Sequence, residues 1–132
     1  MRQSFSVSSR LVAGAIGLAL SASALASQSD DFNYDTTEDL YQVCSTPAHS
    51  GASVPAAFGC RAFIEATMQD HDAVVDRKKM KRLVCYPPTA TIADGRAAFV
   101  AWAKTHADDK TLMGEQPVVG VVRALAAKYP CK

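Results

Sequence analysis

Residues 116–131 read QPVVGVVRALAAKYPC, and the reading of this stretch decides the fold. Taken alone, VVGVV at residues 118–122 suits a strand, because β-branched side chains pack well on a pleated surface. The pattern runs on, however. Val118, Val121, Val122, Leu125 and Tyr129 recur at spacings of three and four through RALAAK, and that length favours a helix. Arg123 and Lys128 point away from this face. Pro117 is tolerated in a first helical turn, and Pro130 halts the helix. Cys131 follows at once, tethering a segment that would otherwise fray.

Working outward, the preceding segments repeat the pattern. Thr91 is a cap with Asp94 at the third helical position, and Ile92, Gly95, Phe99, Trp102, Ala103 and His106 form a stripe. HADDK closes that helix, and a polar break from His106 to Glu115 leads into the last one. Further upstream, LVCYPP at residues 83–88 excludes a helix through its two prolines. Ser53 starts another helix with Pro55 in its first turn, and a broad apolar band from Ala56 through Phe58, Cys60, Phe63, Ile64 and Ala66 to Met68 makes it central. It fades in QDHDAVVDR. The first helix is expected after Asp35, with Glu38 completing a capping box, and its inward face is Leu40, Val43 and Cys44. Pro47 and Gly51 mark the loop that ends it. The expected fold is all-α: a compact bundle of about four helices.

The N-terminus follows different rules. Arg2 and Arg10 precede the apolar LVAGAIGLAL, and Ala24-Leu25-Ala26 is a small-residue cleavage site. The uncharged run from Leu11 to Ala26 is 16 residues, short of the roughly 20 a membrane-spanning helix needs. Residues 1–26 are therefore expected to be a secretory signal peptide cut near Ala26, residues 27–35 a mobile lead-in and residues 36–132 the helical domain. No transmembrane span is expected in the mature protein. The composition, 48% hydrophobic and 20% charged, suits one small globular domain. Cleavage removes two arginines and no acid, moving the net charge from +1 to −1. Such a balance offers no field to steer nucleic acid, which excludes that class of partner.

All four cysteines, Cys44, Cys60, Cys85 and Cys131, lie beyond the cleavage site. An even count in a small exported chain reads as two disulfides. A zinc site would show paired C-x2-C spacing, whereas the gaps here are 16, 25 and 46. Three pairings are open. The preferred one joins Cys44 to Cys60, because a short turn brings the first helix back along the second, and leaves Cys85 for Cys131.

Candidate chemistry is sparse. Asp70-His71-Asp72 has the residue types of a metal site, but neighbours in sequence do not share a helix face, so it reads as a solvated helix end. His106 packs or caps its helix, and His49 has no identifiable partner. No G-x-S-x-G, phosphate-binding glycine loop or H-E-x-x-H is present. We therefore expect no enzyme, no metal and no cofactor. RKKMKR, residues 77–82, carries five positive charges in six residues. Its plainest reading is a solvated loop; its functional reading is a contact for an acidic patch on a protein, or for phosphate at an envelope surface. The candidate partner-binding residues are Lys78, Lys79, Lys81 and Arg82 of this run. The polar break adds Asp108 and Lys110, with Leu112 and Met113 as apolar anchors if exposed.

The mature chain resembles the Rap/Tai group of small exported bacterial immunity proteins over roughly residues 35–131. The resemblance rests on EDLYQVC, a helix ending in cysteine; on FGCRAFIEA, a helical cysteine followed by an aromatic and an aliphatic residue; and on the module from CYPP at residue 85 to KYPC at residue 131. The group often carries glycines where this chain has Ala62 and Phe63, and another where it has Pro88-Thr89-Ala90. The resemblance implies a periplasmic immunity protein that binds a peptidoglycan amidase delivered by a type VI secretion system and occludes its substrate groove. It also implies a homodimer as one working form. The alternative class is a periplasmic acid-stress chaperone of the HdeA type, likewise small, helical and disulfide-bonded, to which the thirteen carboxylates would be suited.

Overall fold

The structure is a computed structural model that describes residues 34–132; the expected signal peptide and most of the lead-in lie outside the described residues. Five helices follow in order: α1 Thr37–Cys44, α2 Ser53–Lys78, α3 Ile92–Thr105, α4 Lys110–Met113 and α5 Pro117–Lys128. The two bridges join Cys44 to Cys60 and Cys85 to Cys131. The four longer helices correspond to those expected; α4 is a single turn inside the polar break, capped by Asp109, whose carboxylate accepts from the amides of Thr111 and Leu112.

Capping sets the helix starts. Thr91 caps α3 as expected: its hydroxyl accepts from the Asp94 amide, and the Asp94 carboxylate accepts from the Thr91 amide. The Thr91 hydroxyl, which donates to the same carboxylate, and after it that backbone bond hold the Asp94 carboxyl below its usual range. At α1 the expected pair Asp35 and Glu38 is corrected by one residue. Thr36 and Asp39 form the box, with Thr36 N donating to Asp39 Oδ2 at 2.9 Å. The one-residue shift leaves Thr37 free to turn inward, where its N–H and Oγ both donate to the Glu115 carbonyl, at 2.8 and 3.1 Å. This ties the start of α1 to the turn before α5.

The core is a contiguous cluster in which Leu40, Ile64, Phe99, Val121 and Leu125 are fully or nearly buried, contributed by α1, α2, α3 and α5. α3 packs on α5, and α1 on α2 and α5. Arg96 of α3 donates Nε and Nη2 to the Cys44 carbonyl at 2.9 and 2.7 Å, satisfying the C-terminal end of α1. The band read on α2 is narrower than expected. Ala56, Cys60, Ile64, Met68 and Val75 face inward, whereas Phe58 is 71% exposed beside the exposed Val54. Phe63 is half-buried and stacks on Tyr34, ring centroids 5.7 Å apart.

The helix α2 also outlasts the expected fade. It continues through Asp70-His71-Asp72 to Lys78 and ends on Lys79, whose φ of 53° places it in the left-handed region that terminates helices. The following segment crosses back to the C-terminus. Val84 is buried and forms an isolated antiparallel bridge with Pro130, and the Cys85 N–H donates to the Tyr129 carbonyl at 2.9 Å. The Cys85–Cys131 bridge closes this pairing covalently.

Candidate functional site: an apolar groove between α2 and α5

Two helices and one crossing segment leave a groove of about 860 Å³. Val74 comes from α2, Met80 and Leu83 from the crossing segment, and Val118, Val119 and Val122 from α5. The lining is aliphatic because each element turns a second, smaller apolar line outward. On α2 that line runs through Phe63, Ala66 and Val74, interrupted by Thr67 and Asp70, beside the core line that ends at Val75. On α5 Val118 was expected to share the buried face with Val121 and Leu125. It is 42% exposed and belongs to the groove, because Pro117 and Gly120 take the inward positions of the first turn. Exposed side chains of this kind, drawn together rather than scattered, mark a binding surface.

Charged and polar groups edge the groove: Asp70, His71, Lys81 and Arg123. Arg123 is committed to Glu115, with Nε and Nη2 each 2.9 Å from a carboxylate oxygen. The helix and the crossing segment are locked together by Asp72. Its carboxylate accepts from Arg82 Nη1 at 2.8 Å, from His71 Nδ1 at 3.1 Å and, through a short bond, from the Tyr86 hydroxyl. Arg82 also donates to Asp76 at 2.8 Å. Burial pushes the Asp72 carboxyl up, but Tyr86, His71 and Arg82 together outweigh it and hold it below the usual carboxylate range. The bond to Asp72, with burial second, raises the Tyr86 phenol.

This network corrects the reading of Asp70-His71-Asp72 as a solvated helix end. Asp72 is a structural hub, because the helix continues past it and residues 82–86 fold back onto it. Arg82, read as a free surface cation, spends its charge inside the molecule. Lys78 is the last residue of α2 and Lys79 its cap, both exposed; Lys81 lines the groove. Asp108, Lys110 and Leu112 do not line it; the first two are exposed and Leu112 is half-buried. Met113 is 2% exposed and packs into the core, so the condition for its use as an anchor is not met. His106 caps α3 and stacks on Trp102, as expected. Among the described residues no group of three or more metal-ligating side chains converges, and no helix is long and apolar enough to cross a membrane.

The geometry defines a class: a helical scaffold, braced by two disulfides, that presents an aliphatic groove for binding. The chain belongs to the Rap1a immunity protein family, whose model matches residues 36–131. Membership suggests an immunity protein directed against a secreted effector, an inhibitor rather than an enzyme. No curated protein and no solved structure matches the chain.

Proposed function

We propose that the protein is exported to the periplasm and there binds a peptidoglycan amidase delivered by a type VI secretion system, occluding its substrate site and so protecting the cell wall. The family supports the inhibitory role, and both disulfides are consistent with an oxidising compartment. The observation that carries the contact face is the α2–α5 groove, where Val74, Met80, Leu83 and Val118 stay exposed although the core beside them is filled. Occlusion requires no reacting group on this chain. It requires a rigid surface that stays in place, which the Asp72 hub and the Cys85–Cys131 bridge supply. Lys78, Lys79 and Lys81 extend the contact beyond the apolar patch.

The test is light scattering on the purified mature chain mixed with the purified amidase secreted by the type VI system of the same cells. A stable complex containing both proteins is expected. Two unchanged separate species would refute the proposal.

A further inference from the structure

His71 has one ring nitrogen matched and one not. Its side chain is 8% exposed, and the residue lies in the wall of the groove. Nδ1 faces the Asp72 carboxylate at 3.1 Å, an acceptor, so Nδ1 carries the proton and donates. In the neutral ring Nε2 then holds a lone pair and only accepts. That atom is buried without a hydrogen-bond partner among the described residues. Buried polar atoms are nearly always paired in native proteins, and one left over calls for an explanation.

The charges around the groove are also unequal. Arg82 is taken by Asp72 and Asp76, and Arg123 by Glu115. Lys79 and Lys81, at the crossing segment, have no ion pair among the described residues. Asp70 is the acid that lines the groove and Lys81 its unspent cation, with Lys79 two residues earlier, beside it but outside the lining.

We propose that the groove receives an apolar segment of the secreted effector that places a hydrogen-bond donor on His71 Nε2 and carboxylates against Lys79 and Lys81. This rests on the inhibitor reading above and sharpens it. The donor is a backbone N–H or a side-chain hydroxyl or amide. Aliphatic contact gives affinity, whereas His71 gives selectivity: an apolar segment without the donor would bury Nε2 unpaired a second time and gain nothing from it. Nε2 is covered in the free protein, so the donor seats only as the side chains over it move. Among the lining residues Met80, exposed and unbranched, is the adaptable one.

Isothermal titration calorimetry tests this with the same purified amidase as probe, using wild type, His71→Gln and His71→Leu, with a thermal melt of each. Glutamine reaches about as far as Nε2 and can present an acceptor oxygen; leucine fills the space with no acceptor. Wild type and His71→Gln should bind within about threefold of each other, and His71→Leu at least about tenfold more weakly, the cost of one buried hydrogen bond. Both variants lose the Nδ1 bond to Asp72, so His71→Leu should melt at about the same temperature as His71→Gln, and a gap in affinity between the two is then not a gap in folding. Equal binding by wild type and His71→Leu overturns the inference and leaves the inhibitor reading standing. A fall in melting temperature and affinity together, shared by both variants, also overturns it, by making His71 merely structural. Failure of wild type itself to bind the amidase overturns the inhibitor reading, and this inference with it.

Discussion

Arg82 reaches back across ten residues of chain to place Nη1 2.8 Å from Asp72 Oδ1. That one bond joins the C-terminal half of α2 to the segment that forms the groove's third wall. Arg82 stands immediately before Leu83, an exposed lining residue, and two before the buried Val84. Arg82→Ala should therefore act on the groove without entering it. Hydrogen exchange should speed at the amides of residues 81–84, with little change in global stability, since the pair is solvent-exposed. Exchange unchanged from wild type would show that the bridge does not hold the wall.

The same hub sets an acid dependence. The Asp72 carboxyl lies below its ordinary value when folded, chiefly because Tyr86, His71 and Arg82 bond its ionised form in spite of burial. Its contribution is thus fully present above about pH 4, the unfolded value, and is lost as pH falls through the depressed folded value. Asp72→Asn should lower stability by about 1 kcal/mol at neutral pH. It should also flatten the loss on acidification, so that the wild-type and variant curves draw together as pH falls through the depressed folded value in urea titrations. Parallel curves would count against the hub.

Two helical glycines should respond in opposite directions to alanine. A Cβ at Gly120 would overlap the Thr37 side chain, which is fully buried and fastened to the Glu115 carbonyl. Gly120→Ala should cost about 2 kcal/mol net. A Cβ at Gly95 would meet Ile64 Cγ2 at 3.4 Å and Leu125 Cδ2 at 3.8 Å, ordinary contact. Gly95→Ala should be neutral or stabilise by up to about 1 kcal/mol through helix propensity. Denaturant midpoints of the two variants give the answer.

The contrast shows where sequence reasoning succeeds here. Helix existence was legible because Thr91 with Asp94, the spacing of Leu40, Val43 and Cys44, and Pro130 behind Tyr129 are local signals. The disulfide pairing was legible in preference only, resting on one short turn. The groove was not legible. Val118 and Val121 are equally apolar in sequence, and only the packing of Pro117 and Gly120 decides which faces out. Nor could Asp72 be told from a solvated acid, because its partners Arg82 and Tyr86 lie ten and fourteen residues away, across a chain reversal. Met113 looked like part of a polar break; the single turn of α4 rotates it into the core.

Removing the C-terminal bridge should separate the tail from the crossing segment. It closes a loop of 46 residues, for which chain entropy gives about 4 kcal/mol, an upper figure if the unfolded chain is structured. Cys85→Ser with Cys131→Ser should lose most of that in non-reducing denaturation, and the Cys85 amide should lose exchange protection as its bond to Tyr129 opens. The Cys44–Cys60 bridge, closing 16 residues, should be worth about 3 kcal/mol by the same reasoning. A double variant as stable as wild type would remove the bridge from the account of rigidity.

On the function proposed above, an aliphatic groove on a braced helical scaffold silences a secreted cell-wall enzyme. The direct measurement titrates the purified amidase's hydrolysis of peptidoglycan with wild type and with Leu83→Asp. Leu83 is 54% exposed, so the variant should fold with a stability change within about 0.5 kcal/mol. Wild type should abolish hydrolysis at a fixed stoichiometry of binding sites, and Leu83→Asp should need at least about tenfold more protein. Undiminished hydrolysis with wild type in large excess would contradict the account.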